Sequence, residues 1–107
     1  MDNIHYILDD DHNAVPVDLR TWGRWLDNIQ NRIVAQDWPR KDVMVSTVFL
    51  GIDHSLGGEG PPLLFETMVF RGPDGGEEER YATWAEAEAG HKAKLKAVIE
   101  EAPNDRT

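Results

Sequence analysis

Apolar positions along this chain change period several times, and the changes predict a run of extended segments and two helices. Residues 4–8, Ile-His-Tyr-Ile-Leu, form a short β-prone run that ends in the acidic turn Asp9-Asp10-Asp11-His12-Asn13. After Pro16, Asp18 is a good helix N-cap, because its carboxylate can accept a free amide of the first turn. Leu19, Trp22, Leu26 and Ile29 then recur at steps of three and four, which predicts a helix over 18–30. Ile33 would continue the helical stripe, yet residues 32–38 also read as a strand, the expected assignment, with Trp38-Pro39-Arg40-Lys41-Asp42 as the turn after it.

The clearest strand runs over 43–52, rich in β-branched and aromatic residues. A loop with three glycines and two prolines covers 53–62, a second strong strand covers 63–70, and 72–76 is a turn. A short strand near 80–82 should close a hairpin with 63–70. Thr83 and Glu86 fit a capping box, so a helix should run over 84–101 with Trp84, Ala87, His91, Leu95, Val98 and Ala102 on its apolar stripe. Pro103 stops it, and 103–107 reads as a frayed tail. The expected fold is one α+β domain over 1–107, an antiparallel three- to four-stranded meander with two helices.

Both strong strands are apolar on both faces. Val45, Thr47 and Phe49 share one side of the first, and Met44, Val48, Leu50 and Ile52 the other. In the second, Leu63, Phe65, Thr67 and Val69 face one way, and Leu64, Glu66, Met68 and Phe70 the other. Two helices can cover one face, so a large apolar surface remains for something else to cover. The candidate covers are a second copy of the chain as a homodimer, the N-terminal segment, or a partner protein.

Composition narrows the class. The chain has 107 residues, 40% of them apolar and 29% charged, which fits a single globular domain. It has no cysteine, which favours a reducing, cytoplasmic setting and excludes thiolate metal sites and thiol nucleophiles. No apolar run is long enough to span a membrane, and the acidic start has no basic leader region. Twenty acidic against eleven basic residues give a net charge of −9, which disfavours nucleic-acid binding. An acidic surface aids solubility, or it can occupy a basic groove on a partner.

One polar constellation could carry chemistry. Asp53 and His54 end a buried strand, Glu66 interrupts an apolar one, and His91 sits on the buried stripe of the last helix. His54, Glu66 and His91 are enough to bind a divalent metal such as zinc, or to act as a general base with its orienting acid. The plainer reading is structural: a hydrogen-bonded core His91, a Glu66 paired with Arg or His, and an Asp53 that caps its loop. The spacing matches no established metal motif. Gly57-Gly58-Glu59-Gly60 lacks the Lys-Ser/Thr of a phosphate loop, and the acids at 9–11 lack the calcium-loop pattern.

Three strings, VSTVFLGIDH at 45–54, PLLFETMVF at 62–70 and RYATWAEAEAGH at 80–91, resemble an uncharacterised family of small proteins encoded by bacteriophages and by bacterial genomes that carry mobile elements. The resemblance covers residues 15–95. It implies a bacterial cytoplasmic setting, and it carries no activity. It picks out Asp53, His54, Glu66, Tyr81, Trp84 and His91.

These readings favour a non-enzymatic, protein-binding accessory factor, phage- or mobile-element encoded, that antagonises a host system. Tyr81, Trp84, Met68 and Phe70 are its candidate contacts, and no cofactor is needed. The alternative is a small metal-dependent enzyme or ligand binder built on His54, Glu66 and His91, with Asp53 as a further catalytic candidate.

Overall fold

A computed structural model describes residues 5–53, 60–72 and 76–101. Strands β1 (Tyr6–Leu8) and β2 (Ala14–Pro16) form a two-stranded antiparallel sheet. Helix α1 (Leu19–Leu26) and a 3-10 turn (Ile29–Arg32) lead into the main sheet. That sheet is an antiparallel meander in the order β3 (Ile33–Arg40), β4 (Val43–Phe49), β5 (Phe65–Arg71), β6 (Glu78–Tyr81), and helix α2 (Trp84–Ile99) closes the chain. The α+β class and the four-stranded meander agree with the sequence pattern.

Local chemistry sets the element ends. The Asp18 carboxylate accepts the Thr21 amide at 2.8 Å, and that bond holds its carboxyl below the ordinary value. The expected helix over 18–30 is shorter, because Asn28 caps a separate 3-10 turn through the Gln30 amide. Leu19 and Ile29, at the two ends of the expected stripe, are exposed. In α2, Thr83 and Glu86 form the reciprocal capping box, with the Thr83 hydroxyl accepting the Glu86 amide.

Two segments differ from expectation. Residues 14–16 are a strand, and the polar turn at 9–13 is the hairpin loop that joins it to β1. The expected turn at 38–42 contracts to Lys41-Asp42, and Trp38 and Pro39 extend β3 across an irregularity between Asp37 and Arg40. Proline is tolerated there because β3 is an edge strand, whose outer amides need no ladder partner.

Helix α2 lies across one face of the sheet. Cross-strand pairs on that face are Val45 with Val69, Thr47 with Thr67, and Phe49 with Phe65, which also pairs with Tyr81. From α2, Ala87, His91 and Val98 are buried against them, at the spacing of one helical stripe. Two apolar clusters result: one holds Phe49, Phe65, Leu64, Leu8 and Ala87, the other Val43, Val45, Val69 and Val98. The Thr47–Thr67 row and His91 lie between them.

The β1–β2 sheet joins the same side. Tyr6 donates its amide to the Gly51 carbonyl at 2.8 Å, and His5 bridges Ile52. Gly51 has φ +80°, and a β-carbon there would meet the Trp22 indole nitrogen, which donates to the Gly51 carbonyl at 3.1 Å. No helix among the described residues is long and apolar enough to cross a membrane.

Candidate functional site

The sheet separates the residues that sequence alone grouped together. Alternation along β5 sends Thr67 toward α2 and its neighbour Glu66 to the opposite face. His91 faces Thr47 on the α2 side, so Glu66 and His91 do not share a site. His54 lies outside the described residues. Asp53 accepts the Leu63 amide at 3.1 Å, the loop-capping role of the plainer reading. Among the described residues, no group of three or more His, Asp or Glu side chains could hold a metal ion. Of the candidate contacts, Met68 and Phe70 fall on the far face with Glu66, and Tyr81 and Trp84 pack into the α2 side.

On the α2 side a line of polar groups crosses the sheet. The His91 Nε2 meets Asp37 Oδ2 at 2.7 Å, and Nδ1 meets Thr47 Oγ1 at 2.8 Å. Thr47 in turn hydrogen-bonds Thr67. At the end of the line, Tyr81 donates to Glu79 at 3.2 Å. Burial raises the Tyr81 phenol above its ordinary value, a Thr67 hydrogen bond opposes the rise, and the Glu79 carboxylate adds to it. The line thus draws on β3, α2, β4, β5 and β6.

Proton counting assigns the donors. A neutral His91 with its proton on Nε2 donates to the Asp37 carboxylate, and Nδ1 accepts from the Thr47 hydroxyl. Thr47 then accepts from Thr67. A doubly protonated ring would donate to Thr47, whose hydroxyl would turn toward Thr67. Either state leaves the buried polar atoms paired, which is what a low-dielectric core demands.

Hydroxyl, imidazole and carboxylate in line have the composition of a nucleophilic triad. Accessibility argues against that chemistry. Thr47 is 0% exposed and His91 is 3% exposed, so α2 shuts the hydroxyl away from any substrate. The orientation is also reversed: Nδ1 faces the hydroxyl, where a hydrolytic triad presents Nε2. The line is a buried polar layer that locks helix to sheet.

The far face is different. Neither helix covers it. It carries Met44, Ser46 and Val48 from β4, Glu66, Met68 and Phe70 from β5, and Gln36 from β3, and Trp38 stands in the β3 irregularity at the sheet edge. Trp38 is 64% exposed and Phe70 is 42% exposed. The described part of the N-terminal segment packs on the α2 side, so it does not cover this face.

Polar groups of the far face are mostly spoken for. Gln36 donates to Ser46 at 3.1 Å. Arg80 pairs with Glu66 at 3.0 Å and with Glu78 at 3.5 Å. Burial raises the Glu66 carboxyl above its ordinary value, Glu78 adds to the rise, and Arg80 opposes it. Beside the apolar patch, β6 presents Glu78, opposite Met68, while Glu79 lies opposite Thr67 on the α2 side. Glu77 reaches Arg71 at 3.3 Å on the side where Arg71 meets Glu101.

Sequence reading missed Asp37, Trp38 and Arg80 as site residues. A usable signal existed for the last two: an aromatic beside a proline on an edge strand, and an arginine opposite a lone acid in a hairpin. No protein-family model, curated protein or solved structure matches this chain.

Proposed function

We propose that this chain is a non-enzymatic, protein-binding accessory factor whose contact surface is the open face of the four-stranded sheet. The observation that carries the reading is the exposure of Phe70, with the half-buried Met44 and Met68 on the same face that neither helix covers, and of Trp38 at the irregular edge strand of that sheet. Large exposed aromatics rimmed by polar groups are what protein contacts use as anchors.

Charge selects the occupant. The chain carries −9 overall, and Glu66 and Glu78 already engage Arg80, the cation of β6. A second copy would bring like charge to the same patch, whereas a partner with an apolar centre and a basic rim complements it. The resemblance of its strings to small phage- and bacteria-encoded proteins extends the proposal to a phage or mobile-element factor that antagonises a system of the bacterial cytoplasm.

Affinity capture from bacterial lysate tests the reading, with wild type compared against Met68→Asp and Trp38→Ser. A basic partner retained by wild type, lost by both variants and eluted by added salt is the expected result. Equal captures by all three proteins would overturn it. So would light scattering that shows a wild-type dimer dispersed by Met68→Asp, because the face would then be a self-contact.

A further inference from the structure

Two clefts open beside the β1–β2 hairpin, on the side of the molecule away from the open face. They hold about 260 and about 330 Å³. Both are lined by His12 and Trp84, so this ring pair stands between them. The His12 imidazole lies flat on the Trp84 indole, with centroids 3.7 Å apart and planes 7° from parallel.

The surroundings are aromatic and anionic. Trp25 walls the larger cleft and is itself held edge-on against Phe49, at 5.5 Å and 87°. Trp84 is fixed in the same way against Phe65, at 6.3 Å and 82°. Asp10 borders one cleft and Asp11 the other. Asp9 is not available: its carboxylate accepts the Asp11 and Asn13 amides, each at 2.9 Å, and braces the turn. The Asp10 and Asp11 carboxylates make no hydrogen bond or ion pair with the described residues. Three acids in a turn would by themselves be a solvated loop. Two rigid indoles walling a divided cleft are a different matter, because a ring of this same chain already occupies one of them.

An imidazole stacked flat on an indole occupies the place that a planar cation would take there. A guanidinium group has that planarity, stacks on indole faces and presents a fork of donors that fits a carboxylate. We propose that the Trp84 face is a binding site for a guanidinium group, as on an arginyl side chain, and that His12 is the intramolecular stand-in the ligand displaces. The ammonium of lysine is compact and strongly hydrated, so it fits the flat face less well. The site does not depend on the open sheet face, and neither reading requires the other.

Nuclear magnetic resonance of the whole ¹⁵N-labelled chain tests this. The probes are N-acetyl-arginine amide and acetyl-Gly-Arg-Gly amide, with lysine and citrulline counterparts. Both arginine compounds should shift the Trp84 indole N–H and the His12 ring saturably. Lysine compounds should bind about three-fold or more weaker, the size of an exposed cation–π difference, and neutral citrulline should not saturate. A peptide that binds more tightly than the amide identifies a protein chain as the source of the guanidinium, and equal binding identifies a free small cation.

Two variants sharpen the test. His12→Gly removes the stand-in and suits a backbone position with φ +66°, so arginine compounds should bind it several-fold more tightly. Asp10→Asn combined with Asp11→Asn leaves the braced turn intact, and should weaken binding and flatten its salt dependence. An indole signal that never saturates, a citrulline response equal to that of arginine, or weaker binding by a folded His12→Gly would overturn the proposal.

Discussion

The Tyr81 phenol rests against the backbone of Gly90, in space that a β-carbon at position 90 would fill. Such a carbon would lie 2.2 Å from the phenol oxygen and 2.3 Å from the ring carbon that bears it. Gly90 therefore lets α2 descend onto the sheet at the level where His91 reaches Thr47. Gly90→Ala should destabilise the fold by about 1–3 kcal/mol, the usual cost of forcing extra volume into a packed site. Gly90→Ala in a Tyr81→Ala background should cost less than in wild type, because the clash is gone. Urea unfolding of the four proteins measures that coupling, and strictly additive costs would show that the two residues do not compete for space.

Much of this packing is legible in the sequence, and the reason is periodicity. The α2 stripe through Trp84, Ala87, His91, Leu95 and Val98 has the spacing of a helix face, and its cap lies within four residues of chain. The alternation in β4 and β5 likewise anticipates the Thr47–Thr67 row. Partners of His91 are not legible, because Asp37 and Thr47 stand 54 and 44 residues away. Their meeting depends on the register of three strands, and a slip of one residue in β5 would have brought Glu66 to the helix side. The β1–β2 hairpin is hidden for another reason: its strands are three residues each, too short for a period to show.

The polar layer makes its own prediction. Thr47→Val keeps the shape of the side chain but leaves His91 Nδ1 and the Thr67 hydroxyl without that partner. The expected cost is about 1–3 kcal/mol, the desolvation penalty of buried polar atoms left unpaired. Asp37→Asn should cost under about 1 kcal/mol, because Asp37 is exposed on the sheet edge and its amide oxygen can still accept from Nε2. Nitrogen-15 spectra of the imidazole should find the neutral ring protonated on Nε2. A neutral ring with its single proton on Nδ1 would contradict the donor order assigned above.

Two glutamates give pH dependences of opposite sign. The Glu66 carboxyl is raised above 4.5, so the folded state holds that proton more tightly than the unfolded chain. Its contribution to stability is full at low pH and declines as pH rises through the folded value. Glu101 is lowered below 4.5 by the hydrogen bond from Arg71, so its contribution is full above the unfolded value and declines as pH falls through the folded one. The stability of Glu66→Gln relative to wild type should therefore rise between about pH 4 and pH 7, and that of Glu101→Gln should fall. Urea midpoints at the two pH values check both signs, and two variants moving in the same direction would contradict the assignment.

The core and the edge of the sheet should also answer differently to truncation. Phe49 is buried on the α2 side, against Trp25 and Phe65. Phe49→Ala should cost about 3–5 kcal/mol, because it removes transferred apolar surface and leaves a cavity. Trp38 stands on edge strand β3, in its irregular part, and is mostly exposed to water. Trp38→Ser should change stability by no more than about 0.5 kcal/mol, as a surface substitution that empties no packed site. The contrast matters for the proposed contact surface: a residue whose loss leaves the fold intact but abolishes capture of a partner is a binding residue, not a core one. Thermal melts of both variants provide the check. A loss of several kcal/mol in Trp38→Ser would mean that the indole supports the fold, and its exposure would then no longer speak for a partner.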